Sequence, residues 1–333
     1  MMTEPVIELD GVDKAYRFFQ LKDVRIRLEA GQIMGFVGPN GAGKSTTIRI
    51  LMSMIKPDRG TVRVLGRVMP REQAAAKREI GFVSEDLRLY SAATLAWHMQ
   101  FVASIYPDWD QPYADVLLQR FSLHPEQPIR VLSHGERTKA ALLLVLARRP
   151  RLLLLDEPTT GLDPVARHEI LTELMDVVRD ERRAILFSSH HTQDVEQISD
   201  HITFIDRGRI IDSSDKETFL DQWRRLHIEV PSGVTLPSLP GVINTDSSGR
   251  MAVATTRAYT PDLASLYERA GVTVHSVERM TLEEIFEIAR GGSPRPIDEF
   301  ITDSAEGINW IMIGDASEGS KYITRTKKRI RPE

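Results

Sequence analysis

The sequence contains no cysteine, which removes disulfides, thiolate zinc sites and cysteine nucleophiles together and fits a reducing compartment. Long apolar runs are missing as well. Runs such as Leu142 to Ala147 and Leu152 to Leu155 fall far short of the ~20 residues needed to cross a bilayer. The opening MMTEPVIELD has neither the positive flank nor the apolar stretch of a secretory signal. The expected address is therefore the cytoplasm, with any membrane role supplied by a partner. A basic surplus is also absent: 43 Lys+Arg stand against 47 Asp+Glu, a formal net charge of -4. Such a balance suits nucleic-acid phosphates poorly, so no nucleic-acid partner is expected. What the chain does have is 333 residues and 41% apolar content, enough for one large domain and a small one.

Short strands are predicted at Val6 to Leu9, Val24 to Leu28 and Ile33 to Val37, separated by charged or glycine-containing turns. From Thr46 to Ile55 the apolar residues Ile48, Leu51, Met54 and Ile55 recur at helical spacing, and Pro57 to Gly60 closes the helix with a turn. The stretch from Leu95 to about Ala147 reads as helical, broken near Pro107, Pro112, Pro125 and Pro128. Strand-like runs return at Leu152 to Leu155, Ala184 to Phe187 and Ile202 to Ile205, with an amphipathic helix from Pro164 to Arg179 between the first two. That alternation predicts a largely parallel sheet. Beyond Leu226 the pattern reads as a small ββαβα unit: two strands around Asp246 to Gly249, a helix from Pro261, a strand from Val272 to Val277, and a helix from Leu282 to Arg290. The remainder, rich in Gly, Ser, Pro and charge and ending in KKRIRPE, reads as a flexible tail.

Gly38-Pro39-Asn40-Gly41-Ala42-Gly43-Lys44-Ser45 fits G-x-x-x-x-G-K-[ST] and stands between an apolar strand and a helix start, the context that gives the pattern physical meaning. Glycines let the backbone wrap phosphate oxygens without a clashing Cβ, and the N–H groups of the helix start, around Ser45 and Thr46, point at negative charge. Lys44 can reach the β- and γ-phosphates, and the Ser45 hydroxyl can ligate Mg²⁺, so ATP with Mg²⁺ is the implied ligand. Downstream, four leucines end in Asp156-Glu157, as expected of a buried strand delivering carboxylates to its C-terminal edge. Asp156 would help hold Mg²⁺. Glu157 would accept a proton from, or orient, the water that attacks the γ-phosphate in line.

Between these motifs lies Leu132-Ser133-His134-Gly135-Glu136. With the phosphate loop before it and Asp-Glu after it, the chain resembles the ATP-binding subunits of ABC transporters, whose signature is LSGGQ. Here His134 replaces the first glycine of the pair and Glu136 the glutamine. The resemblance implies a P-loop NTPase fold of the ABC ATPase type. It comprises an α/β core with a mixed, largely parallel sheet over 1–225, an inserted helical subdomain over about 86–150, a small C-terminal α/β domain over 226–290, and the tail over 291–333. It also implies that the signature completes the ATP site of an opposite subunit. A homodimer or heterodimer of ATPase domains is then required, bound peripherally at the inner face of the membrane to a separately encoded transmembrane permease subunit.

The resemblance further assigns Tyr16 to adenine stacking, Glu85 to the loop position where relatives carry a glutamine near Mg²⁺ and the attacking water, and His190 to the switch that contacts the γ-phosphate. His191 sits next door, and alignment with Asp194 to Glu196 favours His190. The run Pro158-Thr159-Thr160-Gly161-Leu162-Asp163 resembles the loop that communicates across the dimer. Asp163 also suits a helix N-cap ahead of Pro164, so both roles stay open. Met280 to Phe286 is similar to the "SLEDVF" element of ATPases serving ABC-2-type exporters, and reads equally as a threonine-capped amphipathic helix. Export is the expected direction. Two alternatives share the motifs: a soluble ABC-type ATPase in translation or DNA maintenance, and a weakly hydrolysing regulatory subunit.

Overall fold

The computed structural model describes residues 4–289. Arg290 and the expected tail over 291–333 lie outside the described residues. The chain opens with a hairpin of β1 (Ile7–Ala15) and β2 (Gln20–Leu28), followed by β3 (Ile33–Val37), in which all five residues are buried. After the glycine-rich loop comes α1 (Lys44–Leu51). It stops short of the predicted Ile55 because Ser53 turns left-handed at φ 51°, a backbone state that ends a helix.

Next come β4 (Arg59–Val64), β5 (Arg67–Val68), α2 (Gln73–Arg78) and β6 (Ile80–Ser84). The helical stretch resolves into α3 (Leu95–Ile105), α4 (Gln111–Arg120), a single 3-10 turn at Ile129–Val131, and α5 (His134–Leu146). Pro112, expected as a break, lies in the first turn of α4, where its missing N–H is no loss. Then follow β7 (Leu152–Asp156), α6 (Pro164–Val177), β8 (Ala184–Ser189), α7 (Thr192–Ile198), β9 (His201–Asp206), β10 (Arg209–Asp215) and α8 (Lys216–Gln222). The last part holds β11 (Arg224–Glu229), β12 (Val242–Ser248), β13 (Met251–Thr256), α9 (Pro261–Arg269), β14 (Thr273–Arg279) and α10 (Leu282–Ala289).

The central sheet runs β10-β9-β3-β8-β7-β6, with β9, β3, β8, β7 and β6 parallel and β10 an antiparallel edge. Alternate leucines of β7 divide between two cores. Leu152 and Leu154 face α1 and the antiparallel sheet β2-β1-β4-β5, while Leu153 and Leu155 face α5, α6 and α7. A strand covered on both faces has no polar face to show, which is why its sequence reads as an unbroken apolar run. The parallel order brings the C-terminal ends of β3, β7 and β8 side by side, with Val37 beside Ser189 and Asp156 beside Ser188.

The third sheet, β12-β13-β11-β14, packs α9 around buried Tyr267, Leu226 and Ile228. It corrects the ββαβα expectation, because β11 precedes the two strands predicted and pairs with both β13 and β14. The expected boundary at 225/226 falls inside β11. Helix α10 does not join this third core. Leu282, Ile285 and Phe286 are buried in the core beneath α7, and the Phe286 ring lies 4.3 Å from that of Phe204 in β9.

Candidate active site

Residues 38–45 pass from β3 into α1. Gly43 stands at φ 117° and caps α1 without any side-chain hydrogen bond. A Cβ there would lie 2.6 Å from Leu21 and 2.9 Å from Phe19 of the first hairpin, so the position needs glycine on both counts. The leading N–H groups of α1, at Lys44, Ser45 and Thr46, are left without a side-chain cap and suit an anion. Lys44 is 5% exposed; its Nζ donates to Gly38 O at 2.6 Å and pairs with Glu157 Oε1 at 3.1 Å.

Asp156 ends β7 and Glu157 follows at φ 55°, a left-handed state uncommon for a residue with a side chain and often found at functional sites. Ser188 of β8 aligns the two acids: its hydroxyl donates to Asp156 Oδ1 at 2.8 Å and accepts from Glu157 N at 3.1 Å. The other Glu157 oxygen, Oε2, accepts from His190 Nδ1 at 2.7 Å, from His190 N at 3.3 Å and from the Thr160 hydroxyl at 3.2 Å. A carboxylate acceptor fixes a proton on Nδ1. Burial pushes the Glu157 carboxyl up. Lys44 and His190 pull it down by more, so it lies below the usual glutamate value. His191, its ring tilted against that of His190 at 4.1 Å, is lowered first by burial and then by its neighbour.

Ser133 is the N-cap of α5. Its N–H donates to Glu136 Oε2 at 2.7 Å, and Glu136 N donates to its hydroxyl at 3.2 Å. This reciprocal capping box fixes the first turn, including Gly135. The Glu136 carboxyl is lowered mainly by the Ser133 backbone N–H. His134 Nε2 lies 3.0 Å from Thr160 O. In the loop after Glu157, the Thr159 hydroxyl donates to buried Asp194 at 2.7 Å, and Arg167 pairs with the same carboxylate. Asp163 Oδ1 accepts from Val165 N and Ala166 N at 2.9 and 3.0 Å, capping α6.

The structure therefore gathers Lys44, Asp156, Glu157 and His190 around one carboxylate pair. Glu85 is exposed, donates its N–H to Asp156 O at 3.2 Å, and lines one cleft with Glu157, Thr160 and His134. Tyr16 is exposed just beyond β1, stacked on Phe19 at 6.4 Å, and Phe19 is the ring that meets Gly43. Pro39, Asn40 and His190 line a second groove with Glu283 and Phe286 of α10. Gly41 and Asn40 are exposed at the loop tip, while Ala42 N bonds back to Pro39 O at 3.1 Å. Among the described residues, no hydrogen bond or ion pair joins Tyr16, Ser133 or Asp163 to Lys44, Glu157 or His190.

Sequence reasoning overlooked Ser188, Thr160 and Asp194 as parts of this network. Ser188 was visible only as a polar break at the end of an apolar strand. Among the described residues, no group of three or more His, Asp or Glu side chains could hold a metal ion unaided. The donor set of Ser45, Asp156 and Glu85 instead fits an ion such as Mg²⁺, which is held by one or two carboxylates and completed by phosphate and water.

A sequence profile described as "ABC transporter" matches residues 21–160. The ABC transporter ATP-binding protein YtrB of Bacillus subtilis (strain 168) is 32% identical over 232 residues, covering 69% of this chain and 79% of YtrB. The daunorubicin resistance ATP-binding protein DrrA3 of Streptomyces coeruleorubidus is 31% identical over 304 residues, covering 86% of this chain and 96% of DrrA3. A solved structure described as the ATP binding subunit of an ABC transporter superposes with a TM-score of 0.59 at 25% identity, over 65% of this chain and 92% of that one. With these similarities and the order of phosphate loop, signature turn and Asp-Glu strand end, the chain belongs to the family of ABC transporter ATP-binding proteins.

Proposed function

We propose that the chain hydrolyses ATP with Mg²⁺ and, as a dimer, uses the cycle to drive a separate transmembrane permease subunit in the direction of export. The observation that carries this reading is the convergence of Lys44 and His190 on the two oxygens of Glu157 beside an uncapped helix start. A triphosphate on the loop competes with Glu157 for Lys44. The freed carboxylate is then available to take a proton from water, while His190 keeps it oriented through Nδ1. Ser45 and Asp156, with Glu85 at the cleft wall, would hold Mg²⁺, which when bound neutralises charge developing on the phosphates. Tyr16, beside the loop, is placed to stack on the base.

The signature turn of Ser133, His134, Gly135 and Glu136 forms a second helix start, its first turn fixed by the Ser133–Glu136 capping box. We assign it, with Asp163 at the adjoining loop, to the ATP held by the other subunit. For the membrane partner we assign α3, where Trp97 and Phe101 stack at 5.3 Å and, with Tyr90, stand exposed beside the Glu85 loop. Among the described residues no helix is long and apolar enough to cross a membrane, so attachment is peripheral in this reading. Similarity across most of the chain to DrrA3, named for daunorubicin resistance, supports export. The test is purified protein with Mg-ATP. Lys44→Ala is expected to lose nucleotide binding, and Glu157→Gln to bind but not turn over. Undiminished hydrolysis by Glu157→Gln overturns the assignment of the base.

A further inference from the structure

His134 stands where the LSGGQ signature has glycine, a residue with no side chain to reach anything. Here the ring reaches across to the loop after Glu157. Its Nε2 lies 3.0 Å from Thr160 O, and since a carbonyl only accepts, Nε2 carries the proton. The ring also lies beside Gly161, where a Cβ would touch Nε2 and Cδ2 at 3.5 and 3.6 Å. From Thr160 the path continues: its hydroxyl donates to Glu157 Oε2 at 3.2 Å, and its N–H bonds Glu157 O at 3.3 Å. At the other end, His134 is the first residue of a helix whose start is locked by the Ser133–Glu136 box. His134, Glu157, Pro158 and Thr160 line a single cleft.

We propose that His134 is a positioning residue: it ties the start of α5 to the Thr160 turn and so sets the orientation of the Glu157 carboxylate in its own chain. Glu157 sits at φ 55° with two oxygens shared among Lys44, His190 and Thr160, so a shift of Thr160 bears directly on one of those contacts. If α5 rests on the partner's nucleotide, a point that depends on the reading above, the same contact reports that nucleotide to the base of the opposite site. The coupling then has a physical carrier of two hydrogen bonds and one helix start.

Two measurements test this. The first is amide hydrogen exchange of residues 158–163 in nucleotide-free protein, which needs no catalysis. His134→Phe, which keeps a ring but no donor, is expected to speed exchange there about fivefold, as expected for loss of one hydrogen bond, and His134→Gln, which restores an N–H donor, to return it to the wild-type rate. The second is ATP turnover. His134→Phe is expected to lower kcat about fivefold with KM for ATP within about twofold, and His134→Gln to recover most of it. Thr160→Val cuts the second link; on that background His134→Phe is expected to have no further effect. Unchanged exchange in His134→Phe overturns the proposal. So does a raised KM at constant kcat, which makes His134 act through nucleotide affinity alone, or strict additivity with Thr160→Val, which makes it act independently of Thr160. Absence of turnover in the wild-type chain would instead count against the proposed function, with the exchange result still deciding the His134 contact.

Discussion

Lys44 and Glu157 neutralise one another at the mouth of the phosphate loop, the lysine 5% and the glutamate 13% exposed. Breaking one side of a buried pair leaves the other uncompensated. A triphosphate replaces that partner for Lys44, whereas a point substitution does not. Glu157→Gln therefore removes a competitor for the lysine, and nucleotide affinity is expected to rise severalfold while turnover falls by about 10²-fold or more, as for a lost general base. Equilibrium binding and steady-state hydrolysis on the same preparation check both halves. The pair also has a pH signature. Because the folded carboxyl lies below the ordinary glutamate value of 4.5, the stabilisation is fully present above that value and is lost as pH falls through the lowered one. The wild-type advantage in Tm over Glu157→Gln is expected to hold at neutral pH and shrink on acidification below 4.5. An advantage that grows in acid would contradict the ion pair.

Elements differ in how openly the sequence declares them. β3 and β7 are buried on both faces and show as apolar runs. The helix after Asp163 announces itself by an acid cap and a proline in its first turn. β4 hides because its buried residues, Val62 and Val64, alternate with Arg59, Thr61 and Arg63 directly after a Pro-Asp turn. β11 hides because RRLHIE puts Arg224 on the same buried face as Leu226 and Ile228, which breaks the apolar alternation. The active site shows the same split. The loop and the Asp-Glu pair are local in sequence, whereas the bonds from Glu157 to Ser188 and His190 span more than thirty residues and depend on strand order.

Helix α10 was legible as a helix but not in its docking, since an apolar stripe does not name what it covers. Phe286 packs against Phe204 beneath α7. Phe286→Ala is expected to cost about 3 kcal/mol by leaving a cavity in the main core, measurable as a fall in denaturant midpoint at unchanged slope. On α3 the opposite holds. Trp97→Glu at an exposed ring is expected to leave stability within about 0.5 kcal/mol. In co-expression with the permease it should nevertheless leave the chain in the soluble fraction; retention on membranes would place the contact elsewhere.

At the scale of the whole molecule, the question is which chain's signature serves which phosphate loop. A Cβ on Gly135 would meet Ala166 and Leu162 at 3.5 and 3.7 Å, ordinary contact, and an acid in the first turn of α5 is favoured by the helix dipole. Gly135→Asp should therefore fold, while its charge opposes any triphosphate brought to that helix start. Lys44→Ala disables the loop instead. If each site combines one chain's loop with the other's signature, a mixed dimer of the two variants holds one doubly damaged site and one intact site. Each variant alone is expected to be inactive. After unfolding-free exchange of subunits at equal concentrations, the mixture is expected to recover about a quarter of wild-type turnover, half the dimers being mixed with one of two sites working in each. A site built within one chain predicts no recovery at any mixing ratio, because every loop or every signature would remain damaged in its own chain. Turnover plotted against mixing ratio decides between the two arrangements, since the paired arrangement peaks at equal amounts and vanishes at either end.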